Sequence, residues 1–186
     1  MTVKLWLMCL VLLFSLLPRM VSGAELGVPE VQIASDEILV SAALTLDEKG
    51  LADLKNGVEK ELTFYLDLYR VWNVWPDEFI TGKKIRKILT ADPVKKEYVA
   101  TSSDGITRIK KRFRDFASML SWALTINSRE VTHLKELEPA NYFVRVSVES
   151  RLRSLPPVIG YLLFFVPEKE FKVKADSPPF PVGQVR

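Results

Sequence analysis

Hydrophobic side chains recurring at every second position constrain this chain more than any other feature. Leu62, Phe64, Leu66 and Leu68 alternate with Thr63, Tyr65, Asp67 and Tyr69. Successive side chains of a strand point to opposite faces of a sheet, so this is strand periodicity. The same period returns in Tyr142, Val144, Val146, Val148 and Leu152, set against Arg145, Ser147, Glu149 and Arg151. One apolar and one wet face per strand is what an antiparallel sheet requires. Shorter segments fit the pattern. Val31-Gln32-Ile33 and Ile38-Leu39-Val40 flank Ser35-Asp36-Glu37 as a hairpin, and strands are expected over 85–90, 97–101 and 106–110, with a turn at 102–105. Residues 131–137 also read as strand, and 171–175 alternate once more. Two helices are expected. One begins at Thr45, which has Glu48 three residues on as a capping box, and stops at Asn56-Gly57. The other carries the stripe Phe113, Phe116, Ala117, Leu120, Ala123 and Leu124 and ends near Asn127. The count predicts a mainly β (α+β) fold, an antiparallel β-sandwich with one or two packed helices.

The N-terminus predicts export. Lys4 precedes an apolar run over 5–17, Pro18 breaks it, and Ser22-Gly23-Ala24 offers small residues for cleavage. The run of about 13 residues is shorter than the ~20 that a spanning helix needs, so residues 1–24 read as a signal peptide and no span is expected after its removal. Cys9, the only cysteine, would leave with it, which excludes disulfides and cysteine-bound metal from the mature chain. A disulfide-free exported protein fits a bacterial periplasm. Residues 25–176 are expected to form a single β-rich domain, and 177–186, with Pro178, Pro179 and Pro181, a flexible tail. The run 158–166, "VIGYLLFFV", reads either as a buried strand or as an interface segment.

Several of these segments together resemble the bacterial family known as domain of unknown function 4390. They are the helix at Leu51-Ala52-Asp53-Leu54-Lys55-Asn56-Gly57-Val58, the strand 62–68 with its Arg/Trp-rich end, "KILTADPVKKEYVAT", "FRDFASMLSWAL", and "YFVRVSVESRLRSLPP". The resemblance runs over 33–180 and implies the same fold and an exported location, with no activity attached. Relatives carry a denser Arg-Trp cluster than "RVWNVW", so any role of that cluster carries over only to Arg70, Trp72 and Trp75.

The residues favour binding over catalysis. His133 is the only histidine and lies at an alternating position, where it reads as an ordinary strand residue. Asp67, Asp77 and Glu78 are carboxylates for which sequence fixes no separation, no glycine-rich loop opens a helix after a strand, and no loop has calcium-ligand spacing. No catalytic residue, cofactor or metal is therefore assigned. Charge is segregated instead. With Lys4 and Arg19 removed, 24 basic side chains face 23 acidic ones, yet 83–114 is strongly basic. Lys83, Lys84, Arg86 and Lys87 flank one strand, and Arg108, Lys110, Lys111, Arg112 and Arg114 another. Paired antiparallel, these would present one positive face to an anionic envelope surface or an acidic partner. The alternative is a strand edge charged to block edge-to-edge pairing. An exported chain gives no reason to expect nucleic acid. "YRVWNVWPDE" at 69–78 is the second candidate. By strand parity Trp72 follows Leu66 and Leu68 into the core as a lid, with Arg70 reaching Asp77 or Glu78, and Trp75 counts as a site residue if exposed. The expectation is a non-catalytic exported domain that binds a protein partner or an anionic envelope surface. The alternatives are a small-ligand or sensor-accessory domain walled by Tyr65, Tyr69, Trp72 and Trp75 and, more distantly, a carboxylate-based hydrolase. Oligomeric state is not encoded in any of these patterns.

Overall fold

The computed structural model describes residues 24–152 and 169–183. Among these residues, eleven strands and two α-helices follow in chain order. They are β1 Ala24–Leu26, β2 Glu30–Ala34, β3 Glu37–Leu46, α1 Glu48–Lys55, β4 Lys60–Arg70, β5 Glu78–Asp92, β6 Glu97–Ser103, β7 Arg108–Phe113, α2 Phe116–Leu124, β8 Thr125–His133, β9 Ala140–Leu152, β10 Lys169–Asp176 and β11 Phe180–Val182. The expected signal peptide and the apolar run 158–166 fall outside the described residues, apart from Ala24.

The strands form two antiparallel sheets. In the larger the order is β10-β9-β4-β5-β6-β7, with β11 pairing β9 beyond β10. In the smaller, β3 pairs with β1, β2 and β8. The alternating residues Leu62, Phe64, Leu66 and Leu68 of β4 and Tyr142, Val144, Val146 and Val148 of β9 are buried together with Ile38, Val40, Leu44 and Leu46 of β3. The two sheets thus share one core, as a β-sandwich does. Tertiary packing explains why period two was so legible here: β4 and β9 are neighbours in the middle of their sheet and present that face to β3. β2 and β3 form the expected hairpin, turning at Ser35 and Asp36, both with positive φ (52° and 63°), the geometry of a two-residue hairpin loop.

Other details differ from the sequence reading. Helix α1 is capped by Asp47, whose Oδ1 accepts from Gly50 N at 2.8 Å, while Thr45 remains in β3. Gly57 (φ +87°) does end the turn after it, where a side chain would be strained. Helix α2 starts one turn later than its stripe implied, capped by Asp115, and stops at Leu124, where β8 begins at once. It buries Met119 and Ala123 and exposes Ala117, and Phe113 is a strand residue. Strand character ends at His133, followed by a 3-10 turn over Leu134–Glu136. The Pro-rich end, expected to be a flexible tail, is tied down as far as Gly183. β11 pairs with Ala140–Tyr142, Val182 is buried, and Ser177 both donates its N–H to the Val144 carbonyl and accepts from Val144 N at 3.0 Å.

Candidate functional site

The β4–β5 hairpin ends in a bare aromatic tip. β4 stops at Arg70 and β5 starts at Glu78, so residues 71–77 project beyond the paired strands. Side-chain parity therefore no longer carries Trp72 into the core: it is 45% exposed, Trp75 74%, Val74 86% and Phe79 56%. The lid expected at Trp72 is not formed, because the sheet ends before it. Arg70 does reach acids, as expected, but two of them. Its Nη2 donates to Glu138 Oε2 at 2.8 Å and its Nη1 lies 3.5 Å from Glu78 Oε2. The guanidinium also sits 5.7 Å from the Trp72 ring and 6.0 Å from Tyr142, within cation–π range. Trp72 Nε1 donates to the same Glu78 oxygen at 3.2 Å, and Trp72 N to Asp77 Oδ1 at 3.3 Å. The tip is thus held at its base while its outer indole faces water.

An aromatic ladder stiffens that base on the outward face of the large sheet. Phe79 meets Tyr69 edge-on at 5.7 Å and Tyr69 stacks on Phe143 at 5.3 Å. Arg145 lies over both Tyr69 (5.1 Å) and Phe143 (5.4 Å) and forms a two-pronged pair with Asp176 at 2.7 and 2.8 Å. That pairing holds the Asp176 carboxyl below the ordinary range and the guanidinium above its own. Asp67, packed against Gly82 near Arg145, is instead pushed up by burial. Asp67 is therefore held on the sheet face while Asp77 and Glu78 belong to the tip, and the three carboxylates do not converge.

The basic segments do not meet as expected. β6 lies between β5 and β7, so the two basic strands are not paired. Period two then splits each of them. Lys84 and Arg86 share the outward face with Arg108, Lys110 and Arg112, whereas Lys83, Lys87 and Lys111 lie on the opposite, core-side face. Several charges are matched locally. Lys83 donates to Glu130 at 3.0 Å, holding that carboxyl low, and Arg86 lies 3.8 Å from Glu61. Lys84 sits 5.7 Å from the Tyr65 ring. Lys84 and Arg86, with Tyr65, Glu61, Asp104 and Arg151, line a shallow concavity of about 420 Å³ whose charges are mixed in sign. Trp72 and Trp75 do not line it, so the four aromatic residues expected to wall one pocket are dispersed. Arg108, Lys110 and Arg112 form no ion pair among the described residues, and their strand, β7, is one of the two edge strands of the large sheet among those residues. His133 lies 4.0 Å from both Glu37 and Glu130 at a half-exposed position.

Two buried amines were missed in the sequence. Lys60 is 1% exposed and donates to Glu170 Oε1 at 2.6 Å, with Asp53 at 3.6 Å and Ser150 Oγ donating to the other Glu170 oxygen at 2.7 Å. Lys87 is 5% exposed and donates to the carbonyls of Trp122, at 3.0 Å, and Thr125. The signal was present: Lys87 falls between Ile85 and Leu89, on the apolar parity of β5. Burial lowers its pKa from 10.5 to about 8, and the nearby Arg129 charge adds to the shift.

Among the described residues no group of side chains is arranged to hold a metal ion, and no helix is long and apolar enough to cross a membrane. The family described as domain of unknown function (DUF4390) matches residues 22–177. Nothing matches among curated proteins or solved structures.

Proposed function

The chain belongs to the DUF4390 family, and we propose that this member is an exported, non-catalytic domain that docks a protein partner through the β4–β5 tip. The observation that carries this reading is the exposed set Trp72, Val74, Trp75 and Phe79 on a hairpin braced by Arg70. Contiguous exposed apolar surface rimmed by polar groups marks interaction sites, and tryptophan is among the residues that most often dominate binding energy. The rim is acidic: Asp77, Glu78 and Glu138 outnumber Arg70. Carboxylates at that position disfavour anionic headgroups and fit a partner that presents an apolar notch with cationic neighbours. Export rests on the sequence of residues 1–24, and cell fractionation with N-terminal sequencing of the mature chain tests it. Docking is tested by adding envelope fractions and following tryptophan emission. A blue shift that disappears in Trp75→Ser and after protease treatment of the fractions supports a protein partner. An equal shift with protein-free lipid vesicles refutes it.

One observation favours a second reading, attachment to an anionic envelope surface. Arg108, Lys110 and Arg112 stand on one face of the edge strand with no counter-ion among the described residues. Reversing Lys110 and Arg112 to glutamate abolishes binding to anionic vesicles on this reading. Unchanged binding leaves only the protective role of a charged edge.

A further inference from the structure

Helix α2 folds back over the core side of β5, β6 and β7 and leads straight into β8. A cleft of about 220 Å³ remains at this junction, lined by Lys87, Ser102, Lys111, Trp122, Asn127 and Arg129 among others. Its polar lining is cationic or neutral, and no carboxylate contributes to it. Trp122 organises the cations: the Lys87 amine lies 5.1 Å from its ring centroid and the Lys111 amine 5.3 Å. Among the described residues neither Lys111 nor Arg129 forms a direct ion pair or side-chain hydrogen bond; on its other side Arg129 lines a neighbouring concavity with Asp104 and Glu130, and its charge helps hold the Asp104 carboxyl low. An ammonium carries three N–H donors, and two of those on Lys87 go to the Trp122 and Thr125 carbonyls, capping the C-terminal end of α2. One donor is left beyond those two on a residue that lines the cleft. We infer that this cleft binds a small oxyanion of the phosphate or sulfate type, free or as the head of a lipid, between Lys87, Lys111 and Arg129, with Ser102 and Asn127 as neutral donors.

Three cations around a space of this size, with their field concentrated by a buried floor, offer such an ion what water offers only diffusely. The volume suits a group of a few heavy atoms and is below that of sites for larger organic ligands. The site is separate from the aromatic tip. Lys87 lies eight residues along β5 from Phe79, roughly 26 Å at ~3.3 Å per residue. It also makes a prediction that a nonspecific basic patch does not. Burial, with the Arg129 charge adding to it, holds the amine of the free protein at a pKa of about 8, and the charged groups that share the cleft with Lys87 are Lys111 from β7 and Arg129 from β8, both cationic. An anion that requires the ammonium takes up a proton as pH rises past about 8.

Sulfate is the probe, because its charge does not change between pH 6 and 10. Isothermal titration of the full chain with sodium sulfate at constant ionic strength is expected to give saturable binding at pH 7. The binding weakens about tenfold by pH 9, as the competent fraction of Lys87 falls. Arg129→Gln and Lys111→Gln, at exposed positions that the fold does not need, are each expected to weaken it several-fold. Arg129→Gln should also move the pH midpoint upward, because one repelling charge is gone. Vesicles containing phosphatidic acid form the second arm. Binding to them that exceeds sulfate binding and falls in the same two variants assigns the anion to a lipid head, and a response to sulfate alone assigns a free ion. Absence of saturation by both probes overturns the inference. So does binding unaffected by the two substitutions, or a flat pH profile between 7 and 9.

Discussion

The hairpin tip and the α2–β8 cleft are built from the same pair of groups, a cation against an indole, and they differ in what is left over. At the tip, Arg70 lies 5.7 Å from Trp72 and has two carboxylates, Glu78 and Glu138, so its charge is answered and the indoles remain uncovered. In the cleft, Lys87 and Lys111 lie 5.1 and 5.3 Å from Trp122, which is half-buried, and no carboxylate answers them. The unsatisfied group decides the kind of partner. Exposed indoles with an acidic rim call for apolar and cationic surface, and unneutralised amines call for an anion. Lys60 makes the same point from within the core: it is as deeply buried as Lys87, but Glu170 and Asp53 neutralise it, and it lines neither region.

The largest effect that would break this contrast is a stability change with pH. Lys87 has a folded pKa below its unfolded value, so the unfolded chain binds the extra proton between pH ~8 and ~10.5, and stability rises with pH across that window. The rise is about 3 kcal/mol if the full shift is expressed. Denaturant melts of wild type against Lys87→Met isolate it, since the difference cancels every other lysine. A difference that stays constant from pH 7 to 10 would show that the folded amine keeps its ordinary proton affinity.

At the tip the expected effect is on binding. Trp75→Ser should weaken partner binding by about 2 kcal/mol, roughly 30-fold, while the unfolding midpoint shifts by no more than ~0.5 kcal/mol. A loss of stability comparable with the loss of binding would make Trp75 a packing residue. Smaller still is the effect of Arg70→Met, which removes the charged hydrogen bond to Glu138 and is expected to lower the unfolding midpoint only slightly. It frees Trp72 and lowers its fluorescence anisotropy. Unchanged anisotropy would mean that the tip holds its shape without Arg70.

How much of this was visible in the chain follows from where each residue packs. The runs 62–68 and 142–148 disclosed β4 and β9 because each is paired on both edges and buries one full face. The same parity misplaced Trp72, since period two says nothing about where pairing stops, and here it stops at Arg70. The basic segments do form strands, but β6, the link between them, takes the position between them in the sheet and leaves no single positive face. Met119 and not Ala117 faces the core because Asp115 caps α2 and sets its phase. The prolines of 177–186 suggest a loose tail, yet Phe180 and Val182 pair with Tyr142 and Ala140 of β9. The cleft was out of reach, because it needs α2 and β8 to close over β5–β7, although Lys87 on an apolar parity was the clue.

The indole N–H signals of a ¹⁵N-labelled sample report both regions in one spectrum. Sulfate should move the Trp122 signal and leave Trp72 and Trp75 in place, whereas the protein fraction of the envelope should broaden or move Trp72 and Trp75 and spare Trp122. Both ligands acting on the same indoles, or neither acting on any, would contradict the account.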